Sequence, residues 1–567
     1  VIKRIAAGLL VGLGLVLLGA APAWAHASLS RTDPPANAVL ASAPDAITLT
    51  FTESVRPVND RIRVIGPDRS RVDTGEPAAD GGRIVIPIRK DAGRGTYLVT
   101  YRVISADSHP IGGSFTFAVG APSADPPTAD DAGAVTRVDP VVAITLGAAR
   151  YLGYVGLVLL IGPMLFLARL WPARLSRRVP ARMVAIGLGV TAFSTVAEML
   201  LQAPYTAGTS LFGAGGDALT TALAGSYGTT HTVRLGVLAA IAVLLRPFVR
   251  PSGPSAVDLG VVSFFAVVGL GTWPLSGHAG VSPAPAVSLV ADSAHLAAMG
   301  VWLGGLVMLV GVLLRRANAR ELGAILPVWS SWAMMAVIVL SLTGLAQAII
   351  EVASVSGLLD TTYGRLVLVK VGLLAAVLVV AWFSRRLVQA PARRALVPAG
   401  VGPGGPPGDE DEEIDDPPEP PVRPLRRTIL AELAITGVVL AVAAALVQTP
   451  PARSATAAAP EPYSVTLSSD LYRLRFDLDP VRVGGNTMHL YAYDLSGQPQ
   501  AVVEWRATAA PVDGGIEPLD IPMLPITADH AVAEPTFPSA GEWELKITLR
   551  LSDVDQATVT HRVTIKE

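Results

Sequence analysis

Two hydrophobic rhythms divide this chain. In residues 26–120 apolar and polar positions alternate in short runs, "AITLTF", "RIVIPI", "GTYLVTYRV" and "SFTFAV", broken by Pro, Gly and Asp. Period-two runs separated by turn residues predict strands, and several in a row predict a β-sandwich. Residues 463–567 show the same rhythm in "YRLRFDL", "TMHLYAYD" and "EWELKITLRL", which predicts a second small β-sandwich. Between them, residues 139–449 carry apolar runs of about 20 residues, the length that crosses a bilayer core. Eight spans are expected, near 140–168, 181–203, 230–249, 257–275, 286–314, 327–351, 362–383 and 428–448. The fold class expected is therefore a multi-domain membrane protein: an N-terminal β-sandwich, an eight-helix transmembrane bundle and a C-terminal β-sandwich.

The connecting segments sharpen this outline. Residues 1–25 read as a signal peptide, with Lys3 and Arg4 before an apolar centre and Ala23-Trp24-Ala25 at the cleavage position. Cleavage there makes His26 the first residue of the mature chain. Residues 121–138 and 450–462, rich in Pro and Ala, read as linkers. Residues 400–424 include "GDEDEEIDDPPEPPVRP", an acidic, Pro-rich stretch expected to be disordered. Arg and Lys cluster after the first, third, fifth and seventh spans ("ARLWPARLSRR", "RPFVRP", "LLRRANAR", "FSRRLVQAPARRA"). By the positive-inside rule those segments are cytoplasmic and both termini lie outside, in a multi-pass protein of the plasma membrane.

Composition excludes some partners and restricts others. Hydrophobic residues make up 51% of the chain and charged residues only 16%, well below the ~25% usual in soluble domains, so a lipid bilayer is the expected surroundings. The net charge of −2 leaves no basic domain for nucleic acid. No GxxxxGK[ST] loop is present, so no ATP site is expected, and no catalytic constellation is evident; the chain is not read as an enzyme. Cysteine is absent. A metal site must then use imidazole, carboxylate, thioether or the terminal amine.

Such a set exists in the first domain. Asp107 and His109, in "SADSHPIGG", are two apart in an extended segment and point the same way. A mature N-terminal His26 adds an amine and an imidazole. Nitrogen-rich ligation with one oxygen suits Cu(II). The stretches "HASLSRTDPPANAVLASAPDAITLTFTESV" and "GTYLVTYRVISADSHPIGGSFTFAVG" resemble the CopC copper-resistance family. The resemblance implies an extracytoplasmic Cu(II)-binding β-sandwich with His26, Asp107 and His109 as ligands. Glu53 matches an acidic position that is an outer ligand or supports the ligands in some members. Ser108 stands where that family usually has Gly. Residues 26–120 contain no Met, so no separate Cu(I) site is expected there.

A second constellation lies within the spans, where ionisable groups are costly and mark function. The topology places Glu198, Gln202, His231, Arg234, His278, Asp292, His295, Gln347 and Glu351 toward the outer ends. Asp292, His295 and Met299 fall at i, i+3 and i+7, on one helix face. His278, His295 and a Met such as Met299 or Met199 would together hold copper, as a membrane path separate from the outer site. "SGHAG", "VADSAHLAAMGVWLGGLVML" and "TTYGRLVLVKVGLL" resemble the CopD family, membrane proteins linked to copper uptake or resistance. The matching residues are His278, Asp292, His295, Trp302, Gly304, Gly305, Tyr363, Gly364, Arg365 and Lys370, with Glu432 in the last span. The Gly pair is expected to allow close helix packing.

"VRVGGNTMHLYAYDLSGQPQ" and "PSAGEWELKITLRL" resemble YtkA-like domains. Met488 and His489 are adjacent on a strand and so point to opposite faces, while His530 and His561 have no partner readable in sequence. The leading reading is copper binding outside the membrane and delivery into or across it. Two alternatives stand beside it: a haem-binding electron-transfer protein using His231, His278 and His295, and a copper sensor without transport. The topology is open to direct test. Tags near Gly208 and after Glu567 are expected to be labelled in intact cells, and one near Glu410 to be protected; labelling at Glu410 refutes it.

Overall fold

The computed structural model describes residues 27–58, 60–128, 131–132, 138–250, 252–394, 422–455, 463–512 and 517–566. The signal segment 1–25, His26 and residues 400–421 lie outside them. In the first domain one sheet orders Leu29–Asp33, Ala46–Phe51, Arg83–Pro87 and Ala78–Asp80. The other orders Val39–Leu40, Pro110–Val119, Gly95–Ser105 and Val55–Pro57. Alternation does its work here: Ile47, Leu49, Phe51, Ile84, Ile86, Tyr97, Val99 and Val103 meet in one core.

The Gly95–Ser105 strand departs from the expected half-burial, since all eleven of its residues are buried. Its inner face fills the core. Its outer face is covered by other parts of the chain: Leu98 packs with Ile65 and Ala132, and Ile104 with Val58 and Ala207. Arg102, 2% exposed, lies between them.

Seven described helices are long and apolar enough to cross a membrane: α1 (Pro140–Arg169), α2 (Arg178–Ala207), α5 (Ala256–Leu275), α6 (Pro285–Arg316), α7 (Ala319–Val352), α8 (Thr362–Arg394) and α9 (Val422–Leu446). Shorter helices include α3 (Gly216–Leu223), α4 (Ser226–Val243) and α10 (Ala452–Ala455). The third expected span, 230–249, is α4 followed by a four-residue turn, Arg246–Val249. Its opening turns, with Thr229, Thr230, His231 and Thr232, are polar, so its apolar stretch is short. At 1.5 Å per residue its 18 residues span ~27 Å. The last span starts at Val422, inside the stretch read as linker. Pro424 is tolerated there because first-turn amides have no helical partner.

Tight packing organises the block. A Cβ on Gly162 of α1 would lie 2.3 Å from the Gly304 Cα of α6, and one on Gly304 would lie 2.6 Å from the Gly162 Cα. The two backbones touch, which no larger residue allows. Gly305 meets the Trp329 ring of α7 in the same way. The basic segments after α1, after α4 and between α6 and α7 meet at one end of the block. Arg174 pairs with Glu321 at 2.9 Å, and Arg177 donates to the Leu167 and Phe248 carbonyls.

The first domain docks on the opposite end. Arg102 Nε donates to the Thr206 carbonyl at 2.6 Å, and Nη2 to that of Tyr205 at 3.1 Å, both at the end of α2. Arg56 Nη1 donates to the Thr221 and Ala224 carbonyls beyond α2, at 3.0 and 2.9 Å. Burial pushes the Arg102 guanidinium down to about 10, still charged at neutral pH.

In the C-terminal domain, a sheet ordered Tyr463–Ser468, Arg473–Asp479, Thr487–Tyr493, His530–Ala533 and Leu524–Thr527 faces one ordered Leu519–Ile521, Glu504–Pro511, Gly541–Arg550 and Gln556–Ile565. Leu474, Phe476, Met488 and Leu490 meet Trp505, Trp543, Leu545 and Ile547 in a shared core. Ala124, from the segment leaving the first domain, packs on Tyr491 and Tyr493.

Charge-assisted hydrogen bonds contribute ~1.5–3 kcal/mol each. Replacing Arg102 by Met is therefore expected to shift undocking of the first domain by ~2–4 kcal/mol. Spin labels on the first domain and on the segment after α2 report it. A broadened distance distribution is expected, and an unchanged one refutes the clamp.

Candidate metal centre

Docking brings Asp107 and His109 onto the end of the helical block. Both are buried, at 3% and 6% exposure. They sit in the turn joining Gly95–Ser105 to Pro110–Val119. Ser105 Oγ donates to Asp107 Oδ1, and the His109 amide lies 3.3 Å from the same oxygen. Ser108 takes φ 71°, the left-handed region where Gly has no steric penalty. That explains the usual glycine, and this chain accepts the cost with serine. Gln202 of α2 holds the turn, its Nε2 donating to the Ser108 carbonyl at 2.7 Å.

His278 comes from the other side. It opens a short 3₁₀ turn, His278–Val281, between α5 and α6. One ligand atom from each of Asp107, His109 and His278 lies within 4.8 Å of the others. His109 Nδ1 is 3.3 Å from Asp107 Oδ1, and His278 Nε2 is 3.8 Å from Asp107 Oδ2. The imidazoles stack at 4.7 Å and 20°. His109 Nε2 lies 3.1 Å from the Val447 carbonyl, just past α9. A carbonyl only accepts, so Nε2 donates to it, and Nδ1 is turned toward Asp107. A hydrogen bond of this kind orients the ring as it does for metal-ligating histidines. Two imidazoles and a carboxylate suit a first-row divalent ion.

His278 was expected with the membrane group, apart from the outer site. The structure instead shares it: His278 stacks on His109 and also lines a cavity of about 250 Å³ within the block. That cavity is lined by Asp292, His295, Met299, Glu198 and Glu351 as well. His295 Nδ1 is 2.9 Å from Thr343 Oγ1, and that hydroxyl donates to the Val339 carbonyl. The hydroxyl proton is thereby committed, so His295 Nδ1–H donates and Nε2 retains a lone pair. Gln347 Nε2 donates to Asp292 Oδ1.

The remaining expected groups are distributed around this core. His231 does not line the cavity. It donates from Nδ1 to the Tyr227 carbonyl and places Nε2 3.6 Å from Glu198 Oε2. Arg150 reaches Glu198 at 3.9 Å. His231, His278 and His295 thus have three different polar neighbours, Glu198, Asp107 and Thr343. Glu53 is half-buried. His26 lies outside the described residues; Ala27, next to it, is buried in the first domain's core, and the Ser28 amide donates to Thr52 Oγ1 at 2.9 Å.

Sequence reasoning missed Arg453, in a segment read as linker. It pairs with Glu351 at 2.9 Å. Burial pushes its guanidinium down, while the carboxylates of Glu351, Asp107 and Glu53 act in the opposite direction. A lone Arg in an Ala- and Pro-rich stretch just after a span was the available signal. Ser105 and the Val447 carbonyl carried none.

Family models match three stretches: the CopC domain over residues 29–120, Copper resistance protein D-like, N-terminal domain over 141–284, and Copper resistance protein D over 323–446. The chain is 26% identical over 490 residues to Copper transport protein CutJ of Bacillus subtilis (strain 168), covering 84% of this chain and 83% of that one. It is 37% identical over 100 residues to Protein YobA of Escherichia coli (strain K12), covering 17% and 80% respectively. Copper resistance protein C of Xanthomonas campestris pv. juglandis is 34% identical over 110 residues, 18% of this chain and 86% of that one.

The shared histidine has a measurable consequence. In the full chain, His278→Ala is expected to weaken Cu(II) binding about tenfold or more, ~1.4 kcal/mol, and to remove one imidazole from the electron paramagnetic resonance spectrum. Unchanged affinity and spectrum would return His278 to the membrane group alone.

Proposed function

We propose that this chain, which carries a CopC domain ahead of Copper resistance protein D domains, captures Cu(II) at Asp107, His109 and His278 and passes it into the cavity of its own helical block. His26 supplies further nitrogen donors in this reading, with Glu53 supporting the site. The observation that carries it is the juxtaposition of Asp107 and His109 with a histidine that also lines the membrane cavity. A site shared by both domains needs no diffusing carrier between them.

From His278 the next donors in the cavity are Asp292, His295 and Met299. They offer oxygen, nitrogen and thioether sulfur in turn, a set that tolerates copper in either oxidation state because soft ligands select Cu(I). His231, Glu198 and Glu351 act around them. Glu198 faces Arg150 and His231, and Glu351 faces Arg453, so the acids along this path are partnered before the ion arrives.

The same reading has α4 complete eight crossings, with both termini and the docked domain outside the plasma membrane and the basic segments inside. Its Arg234 is tied to the Thr272 hydroxyl and carbonyl of α5, at 3.0 and 3.1 Å. Such satisfaction is what a charged group inside a membrane requires. The C-terminal domain, read as a YtkA-like sandwich, lies outside as well.

Copper uptake into proteoliposomes tests the relay. His295→Ala is expected to retain Cu(II) binding at the outer site while uptake falls about tenfold or more, a barrier change of ~1.4 kcal/mol. Wild-type uptake by that variant, at equal reconstitution, would remove the cavity from the path.

A further inference from the structure

The C-terminal domain holds a second pair of converging imidazoles, and we propose that His489 and His530 form a transition-metal site of their own, taking Cu(II) through two nitrogens. The argument starts from strand register. Tyr491 pairs with His530, and His489 with Val532, on neighbouring antiparallel strands. On the other side Asp477 pairs with His489. Residues directly opposite each other share a face, so Asp477, His489, Tyr491 and His530 all lie on one face of the sheet. It is the outer face, because Met488, Leu490, Ala492 and Ala531 between them fill the core.

The nitrogens are already at ligand spacing. His489 Nδ1 and His530 Nε2 are 3.1 Å apart. Two imidazole nitrogens bound at ~2.05 Å to one ion stand ~2.9 Å apart at right angles and ~3.35 Å apart at the tetrahedral angle. The observed spacing falls between the two. The rings are also held. Tyr491 stacks on His530 at 4.2 Å and 12°, and His489 lies within 7° of the Tyr491 plane and 15° of the His530 plane. Two neutral imidazoles on locked rings lose little freedom when they bind an ion.

Charge favours the same reading. Burial pushes His530 down to about 4 and His489 downward, with Asp477 acting the other way on both. Both are neutral at pH 7, as metal ligation requires. Asp477, next to His489, provides a nearby negative charge and is held by Arg475 and Ser464. Both histidines are half-buried, leaving a face by which an ion reaches them. In the absence of metal, the pair is a single imidazole–imidazole hydrogen bond.

This site is independent of the outer one, and the test keeps them apart. The full chain, purified in detergent, is loaded with Cu(II) and desalted; copper per chain and nitrogen hyperfine couplings are read for wild type, His530→Phe, His489→Ala and Asp107→Ala/His109→Ala. Phe at 530 retains the ring against Tyr491 and removes only the ligand, so it separates loss of ligation from loss of fold. His530→Phe and His489→Ala are each expected to bind one Cu(II) fewer than wild type. The couplings lost with it are those of two imidazoles, and they persist in Asp107→Ala/His109→Ala. Equal copper in wild type and His530→Phe overturns the proposal. A full wild-type complement in Asp107→Ala/His109→Ala would instead count against the outer site alone.

Discussion

The docking of one strand face onto the ends of the helices is the constraint on which the rest of this structure depends. Thr100, Arg102 and Ile104 form the outer face of a strand that would otherwise meet water. Arg102 is buried as a cation, and that is tolerable only because two helix-end carbonyls receive its protons. Those carbonyls are among the last of α2, which have no partner within the helix. Each side therefore satisfies a need of the other. The clamp places the Asp107–His109 turn two residues beyond the strand's end, against His278 and the Val447 carbonyl.

Seen this way, the outer site and the membrane cavity form one polar column. At its top, His109 is fixed by a carbonyl from the last span and stacks on His278. Below, His295 is oriented by a threonine whose own proton is already committed. Along the column Arg150 faces Glu198, Arg453 faces Glu351, and Gln347 donates to Asp292. Apolar walls supply the rest, including the close Gly162–Gly304 contact that draws α6 against α1. Arg453 ties the column to the C-terminal side of the chain, since it follows the last span by only a few residues and feels the acids of both domains.

The C-terminal domain repeats the chemistry on a different plan. In the first domain a carboxylate and an imidazole two residues apart are completed by a histidine 169 residues away. In the C-terminal domain the two histidines sit on neighbouring strands, and register sets their spacing. Both arrangements place imidazoles beside a held carboxylate.

Much of this was legible in the chain itself. Period-two runs marked the two β domains, and long apolar runs marked the helices, because both signals are local and arise from which side chains face the core. The i, i+2 spacing marked Asp107 with His109, and the i, i+3, i+7 spacing marked Asp292, His295 and Met299. At α4 the local pattern is weaker: its polar opening leaves it short of the length and apolarity of its neighbours. Three things were decided only in the folded molecule: that His278 belongs to the outer site as well as to the cavity, that Arg453 pairs with Glu351, and that His530 meets His489. Each depends on where one element lies against another distant in sequence. Periodicity describes an element's own faces and carries nothing about which remote face will cover them.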